Sequence, residues 1–272
     1  MPKVGKCALC LSPNVDLQDS HVVPRWAYQP LRDDRPGRNP EPIMVWDGKA
    51  LQISKQTSEH MLCVACERRF KVDEDYVYSL VPTALDFPAR KLVGKPERGV
   101  PADGTAVGVG QLDRDRIAYF GASVVWRGHT AKCVPDCDLA AFAEPFRQYL
   151  LDRTVGFPSG TSSELYVVDN GPKWRRACGT ISLPQTTQRE RQSSSGIPIH
   201  HTSHEFVLLG LYFTLRTESS PFLRASLYGN PPTVTLTPPS KFLSWFAPHI
   251  VKASPRGKLR PSAAVRGGPK KR

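Results

Sequence analysis

The chain has 272 residues, 40% of them hydrophobic and 23% charged, with a formal net charge of +12. This composition excludes wholesale disorder and gives enough length for one or two domains with proper cores. The longest apolar run, Phe206 to Leu215, is too short to span a bilayer and is closed by Arg216, so no membrane segment is expected.

The opening Met-Pro-Lys-Val-Gly-Lys-Cys carries no signal-peptide pattern, and the seven cysteines are an odd number. Both favour a cytoplasmic, reducing setting in which paired cysteines hold metal instead of forming disulfides. Cys7-Ala-Leu-Cys10 is a C-x2-C pair that suits a metal knuckle, followed by short strands through the Val22-Val23 pair. Pro24 then opens a short helix carrying Trp26, Ala27 and Leu31. Residues 32–42 form a polar loop. Met44 to Ile53, interrupted by Asp47-Gly48, reads as a β-hairpin.

A second pair, Cys63-Val-Ala-Cys66, precedes a helix expected to reach Leu80. Phe70, Val77 and Leu80 share its apolar stripe, and Glu67 and Glu74, seven residues apart, fall on one face. Two C-x2-C pairs can supply four thiolates to one tetrahedral Zn²⁺; the alternative is a set of unrelated cysteines. Between the pairs stands Ser20-His21-Val-Val-Pro24.

Further along, residues 94–112 are rich in Gly and Pro and mark a linker. Residues 114–128 read as an apolar helix. A helix capped by Asp138 is expected over Leu139–Leu151, kinked or shortened by Pro145. The remainder leans to β: Leu165–Val168, a strand over Phe206–Leu215, and Ala225–Tyr228 with Thr233–Thr237 around Gly-Asn-Pro-Pro. Residues 185–203 read as a mobile loop. The last 22 residues hold eight Lys or Arg and no acid, leaving +4 for the other 250. Such a tail is expected to be disordered and either attracts phosphate backbones, with Lys270, Lys271 and Arg272 at its end, or simply solubilises the chain.

The order Cys7-x2-Cys10, Ser20-His21-Val-Val-Pro24, Leu62-Cys63-x2-Cys66 resembles the HNH (ββα-metal, treble-clef) endonucleases over about residues 5–80. The resemblance implies a structural zinc on Cys7, Cys10, Cys63 and Cys66. It also implies that His21 is the general base that takes a proton from water attacking a phosphodiester, with Mg²⁺ or another divalent metal at the leaving 3′ oxygen. The sequence departs from the family pattern in four places, one of them Phe70 at the position of the family's Lys, with Lys71 next to it. Ser20 replaces the acidic metal ligand before the histidine, Glu67 stands where His or Asn follows the last cysteine, and no Asn lies near Ser58. Asp19 and Glu67 are the oxygen ligands that remain for a catalytic metal, and His60 lies close by. Arg25 is a phosphate contact or an ordinary surface residue.

Other clusters carry less. His129, Cys133 and Cys137 make a weak metal pattern, and His200, His201 and His204 read as exposed polar residues beside a loop, with metal binding as the alternative. The expected architecture is α+β. A treble-clef HNH-like zinc domain (1–93) is followed by a linker (94–112), a mixed α/β domain with a β-rich end (113–250) and a basic disordered tail (251–272). The expected function is metal-dependent hydrolysis of nucleic acid, DNA first, in a phage-defence or mobile-element setting and with a partner protein directing or gating activity. The alternative is a non-catalytic zinc-stabilised module that binds nucleic acid or a partner.

Overall fold

Lys3–Gly5 (β1) lies antiparallel to Val15–His21 (β2), and the first cysteine pair sits in the turn between them. The turn is closed by two main-chain bonds, Cys7 N–H to Ser12 O at 3.0 Å and Leu11 N–H to Cys7 O at 2.9 Å. Leu11 takes φ +62 to complete it. After β2 the chain turns at Pro24 into a 3-10 helix, Arg25–Leu31, with Pro24 just ahead of its first turn.

Next come Ile43–Trp46 (β3) and Lys49–Gln52 (β4), the expected hairpin, with Trp46 opposite Lys49. Ser58–Cys63 (β5) returns to β2, giving the sheet order β1-β2-β5. The helix Val64–Leu80 (α1) begins on the very next residue. It buries Cys66, Phe70, Asp73, Val77 and Leu80, one stripe at three- and four-residue spacing. The computed structural model describes residues 3–32, 43–46, 49–52, 56–81, 105–106, 112–168, 181–192, 198–217, 233–237 and 254–255. The remaining expectations, including the segment Ala225–Tyr228 and the tail residues Lys270, Lys271 and Arg272, lie outside the described residues.

After the two-residue strand Thr105–Ala106 (β6), Arg114–Thr130 forms α2. Its N-cap Asp113 accepts from Arg116 N–H at 3.1 Å. Every residue from Ile117 to Gly128 is buried, because α2 is covered by α1 on one side and by a sheet on the other. Ala143–Leu151 (α3) also packs on it, with Tyr119 donating to Leu150 O at 2.5 Å and its ring edge-on to Tyr149 at 5.6 Å. The helix expected from Leu139 instead opens as a 3-10 turn, Ala140–Phe142, and becomes α-helical at Ala143. Pro145 has no N–H to give, so it fits the first α turn, where none is needed.

The sheet is six-stranded in the order β6-β11-β7-β10-β9-β8, built from β6 with Thr161–Val168 (β7), Gln185–Gln192 (β8), Pro198–Leu208 (β9), Leu211–Thr217 (β10) and Thr233–Thr237 (β11). Within this sheet only the β7–β11 pair is parallel among the described pairings. Ser254–Pro255 (β12) joins a third, small sheet beside β4.

Two strand expectations need correction. The run Phe206–Leu215 is two strands joined at Leu209-Gly210, where φ values of +49 and +89 make a two-residue hairpin turn. Within 185–203, the described residues are strands and not a loop: Gln185–Gln192 pairs along its length with Pro198–Glu205. Their polarity misleads because hydrogen bonds to β9, not apolar side chains, hold this edge.

The core forms where Phe120 of α2 meets Phe206 and Phe213 at 6.3 and 5.4 Å, the latter two stacked at 4.6 Å. Each ring buried this way is worth about 1.5–3 kcal/mol. Buried charge also ties the elements together. Asp73 of α1, 1% exposed, meets Arg116 Nε at 3.1 Å and also pairs with Arg153. Arg147 of α3 donates to Leu9 O in the cysteine knuckle at 2.6 Å.

Candidate metal centre and adjoining cleft

The sulfurs of Cys7, Cys10, Cys63 and Cys66 all lie within 4.8 Å of one another. The fold brings them together by two short-range devices, the β1–β2 turn and the β5–α1 junction, with β2–β5 pairing closing the long gap. All four are free thiols. Cys10 Sγ and Cys63 Sγ are 3.9 Å apart, far from disulfide contact and near the spacing of about 3.8 Å expected for two sulfurs each about 2.3 Å from one zinc ion. Cys63 N–H donates to Cys7 Sγ at 3.3 Å, the bond a metal-bound thiolate needs. Burial pushes the Cys7 and Cys66 thiols up, a cost that a divalent cation removes by binding the thiolates. The Ser12 hydroxyl beside Cys10 holds that thiol down to about 6. Four soft donors at this spacing can hold a metal ion such as zinc.

At the other end of the β2–β5 ladder from Cys63, Asp19, His21, Arg25, Gln56 and Ser58 line an open cleft of about 320 Å³. His21 is the last residue of β2 and pairs with Ser58 of β5; Asp19 pairs with His60. Ser20 turns the other way. It is 1% exposed and donates from Oγ to Gln18 O at 3.3 Å. The residue before the histidine therefore faces the interior, and the carboxylate in the cleft is that of Asp19.

Glu67 lies in the first turn of α1, with Oε1 buried and without a hydrogen-bond partner, but it does not line the cleft. Gln56 Oε1 is likewise buried without a partner, and it does. Among the described residues the thiol cluster is the sole group of three or more side chains placed to share a metal. Asp19, His21 and Glu67 form no such group here.

Arg127 gave no signal in the sequence, because it falls in the apolar helical window of α2. It is 1% exposed, and its Nη1 donates to the main-chain oxygen of His21 at 2.8 Å. Its Nη2 pairs with Glu74 Oε1 at 2.8 Å, and the guanidinium lies 5.4 Å from the Phe70 ring centre. Gln56 likewise gives no signal, since a single glutamine carries no pattern.

The weaker clusters resolve differently. His204 is not exposed; it is 0% accessible, 3.0 Å from Thr186 Oγ1 and 3.3 Å from Thr217 Oγ1, and burial holds it down to about 4. Cys137 is buried, donates to Val125 O at 3.4 Å and is pushed up to about 12 by burial. His129 meets Asp138 at 3.3 Å instead of a thiol.

No helix among the described residues is long and apolar enough to cross a membrane. Compared with protein-family models, curated proteins and solved structures, the chain matches none.

Proposed function

We propose that the chain is an HNH-like, zinc-stabilised endonuclease that hydrolyses phosphodiesters of nucleic acid, DNA foremost. The observation that carries this reading is the cleft in which His21, Asp19 and Arg25 meet at the end of a strand whose partner runs into the metal-binding cysteines. In this reading residues 1–80 form a treble clef around zinc, and residues 113–250 recognise nucleic acid or a partner.

His21, as neutral imidazole, takes the proton of a water molecule while the water oxygen bonds to phosphorus and the P–O3′ bond breaks. A divalent cation such as Mg²⁺, when bound, supplies charge stabilisation to the departing 3′ oxygen. Asp19 offers it a carboxylate from the cleft, and Glu67 offers a second only if the first turn of α1 shifts toward the cleft. Arg25 and the basic C-terminal residues hold phosphates. A cytoplasmic role in phage defence or in a mobile element, with a partner that directs cutting to its target, fits this activity.

A second reading is favoured by the inward-facing Ser20 and by the separation of Glu67 from the cleft: a zinc module that binds nucleic acid or a partner without cutting. The two part on metal-dependent cleavage of plasmid DNA and of RNA by wild type and His21→Ala. Cleavage that depends on His21 supports the nuclease. Salt-sensitive retention on nucleic acid without cleavage supports the binding module.

A further inference from the structure

Arg127 is the largest fully buried side chain among the described residues, and it is a cation. Removing such a charge from water costs several kcal/mol unless partners compensate. Here they come from three elements. Glu74 of α1 supplies the counter-charge at 2.8 Å, Ser123 O in α2 accepts from Nε at 3.3 Å, and His21 O at the end of β2 accepts from Nη1 at 2.8 Å.

The last of these is distinctive. His21 is the final residue of β2 in register with β5, and beyond it the chain leaves the ladder through Val22 toward Pro24. The peptide that follows His21 is pinned at both of its polar atoms: Val22 N–H donates to Thr57 O at 3.1 Å, and the His21 carbonyl accepts from a rigid fork on a helix 106 residues away in sequence. Its ring meanwhile projects into the cleft beside Asp19 and Arg25.

We infer that Arg127 is a positioning residue for His21, a buried strut through which α2 and the sheet behind it fix the direction of the imidazole in the cleft. The inference rests on the reading of His21 as general base for its effect on rate, but its structural part does not. Arg127 is 1% exposed, so it acts through the His21 main chain and not by contact with substrate. Displacing a base by an ångström costs on the order of a hundredfold in rate, so removal of the strut lowers kcat and leaves KM for nucleic acid nearly unchanged.

The test uses the full chain loaded with zinc and two variants. Arg127→Met with Glu74→Gln removes both charges, so no unpaired ion is buried. Arg127→Lys keeps the charge but loses the fork. Each is compared with wild type for zinc content, for the His21 imidazole resonances by ¹⁵N NMR, and for kcat and KM on plasmid DNA. The expected result is one zinc per chain, displaced His21 resonances, kcat lower by on the order of ten- to a hundredfold with KM within about twofold, and partial recovery in the lysine variant. Unmoved His21 resonances in a zinc-loaded variant overturn the inference, as does loss of zinc and fold in both variants, which would make Arg127 a stability residue only. If wild type does not cut, the nuclease reading fails, while displaced or unmoved His21 resonances still decide the role of Arg127.

Discussion

Cys10 Sγ and Cys63 Sγ stand 3.9 Å apart across 53 residues of chain. This contact links the knuckle after β1 to the residue at which β5 ends and α1 begins, so the four thiols tie both ends of a long chain segment together. Cys63→Ser is therefore expected to lose zinc and, with it, apparent folding free energy on the order of 10 kcal/mol. Zinc analysis with thermal unfolding, with and without a chelator, checks this; a variant or chelated protein that melts like wild type refutes it.

The buried carboxylate of Asp73 balances Arg116 and Arg153. Asp73→Ala removes a buried carboxylate whose two arginine partners keep some access to solvent, so the expected cost is about 1–3 kcal/mol. A urea midpoint that falls accordingly, with unchanged slope, is the predicted outcome.

His204 makes stability depend on pH. Unfolded, its ring takes a proton below about pH 6.5; folded, burial holds its pKa to about 4. The unfolded chain thus binds the extra proton between these values. The stability that His204 contributes is complete above pH 6.5 and is lost as pH falls toward 4, by about 3 kcal/mol in all. Urea unfolding at pH 7 and pH 5 should show a smaller difference for His204→Gln than for wild type. Equal differences would remove His204 as the cause.

Gly128 of α2 has no room for a side chain. A Cβ there would stand 2.3 Å from Pro184 Cγ and 3.1 Å from Cys137 Sγ. Gly128→Ala gains about 1 kcal/mol of helix propensity but meets an overpacking cost of about 1–3 kcal/mol, so a net loss or near-balance is expected and no stabilisation. Thermal unfolding reads the sign directly.

Arg25 lines the cleft, and its role as a phosphate contact predicts a change in salt dependence. Arg25→Ala should weaken nucleic-acid binding and reduce the log–log salt slope by about one. An unchanged slope would return Arg25 to the ordinary surface.

Legibility followed the range of the interactions. The thiol cluster was visible in the sequence because each C-x2-C pair is local, and the stripe Phe70, Val77, Leu80 because a helix repeats within a few residues. The placement of Asp19 with His21 was legible from strand alternation. Residues whose meaning depends on distant partners were not. Arg127 looks like one charge in an apolar helix until His21 and Glu74 are brought to it. His204 looks exposed until Thr186 and Thr217 close around it. The Leu209-Gly210 turn was hidden because apolar strands on both sides are buried and leave the run unbroken.

The central claim is that His21 is a general base for phosphodiester hydrolysis, and its most direct test is plasmid cleavage by wild type and His21→Ala at matched zinc content with Mg²⁺, Mn²⁺ or Ni²⁺. The account predicts metal-dependent nicks with 3′-hydroxyl and 5′-phosphate ends, and a rate lower by on the order of 10²–10⁴-fold in the variant. Cleavage by zinc-loaded His21→Ala at the wild-type rate, or no cleavage by wild type with any of these metals, would contradict it.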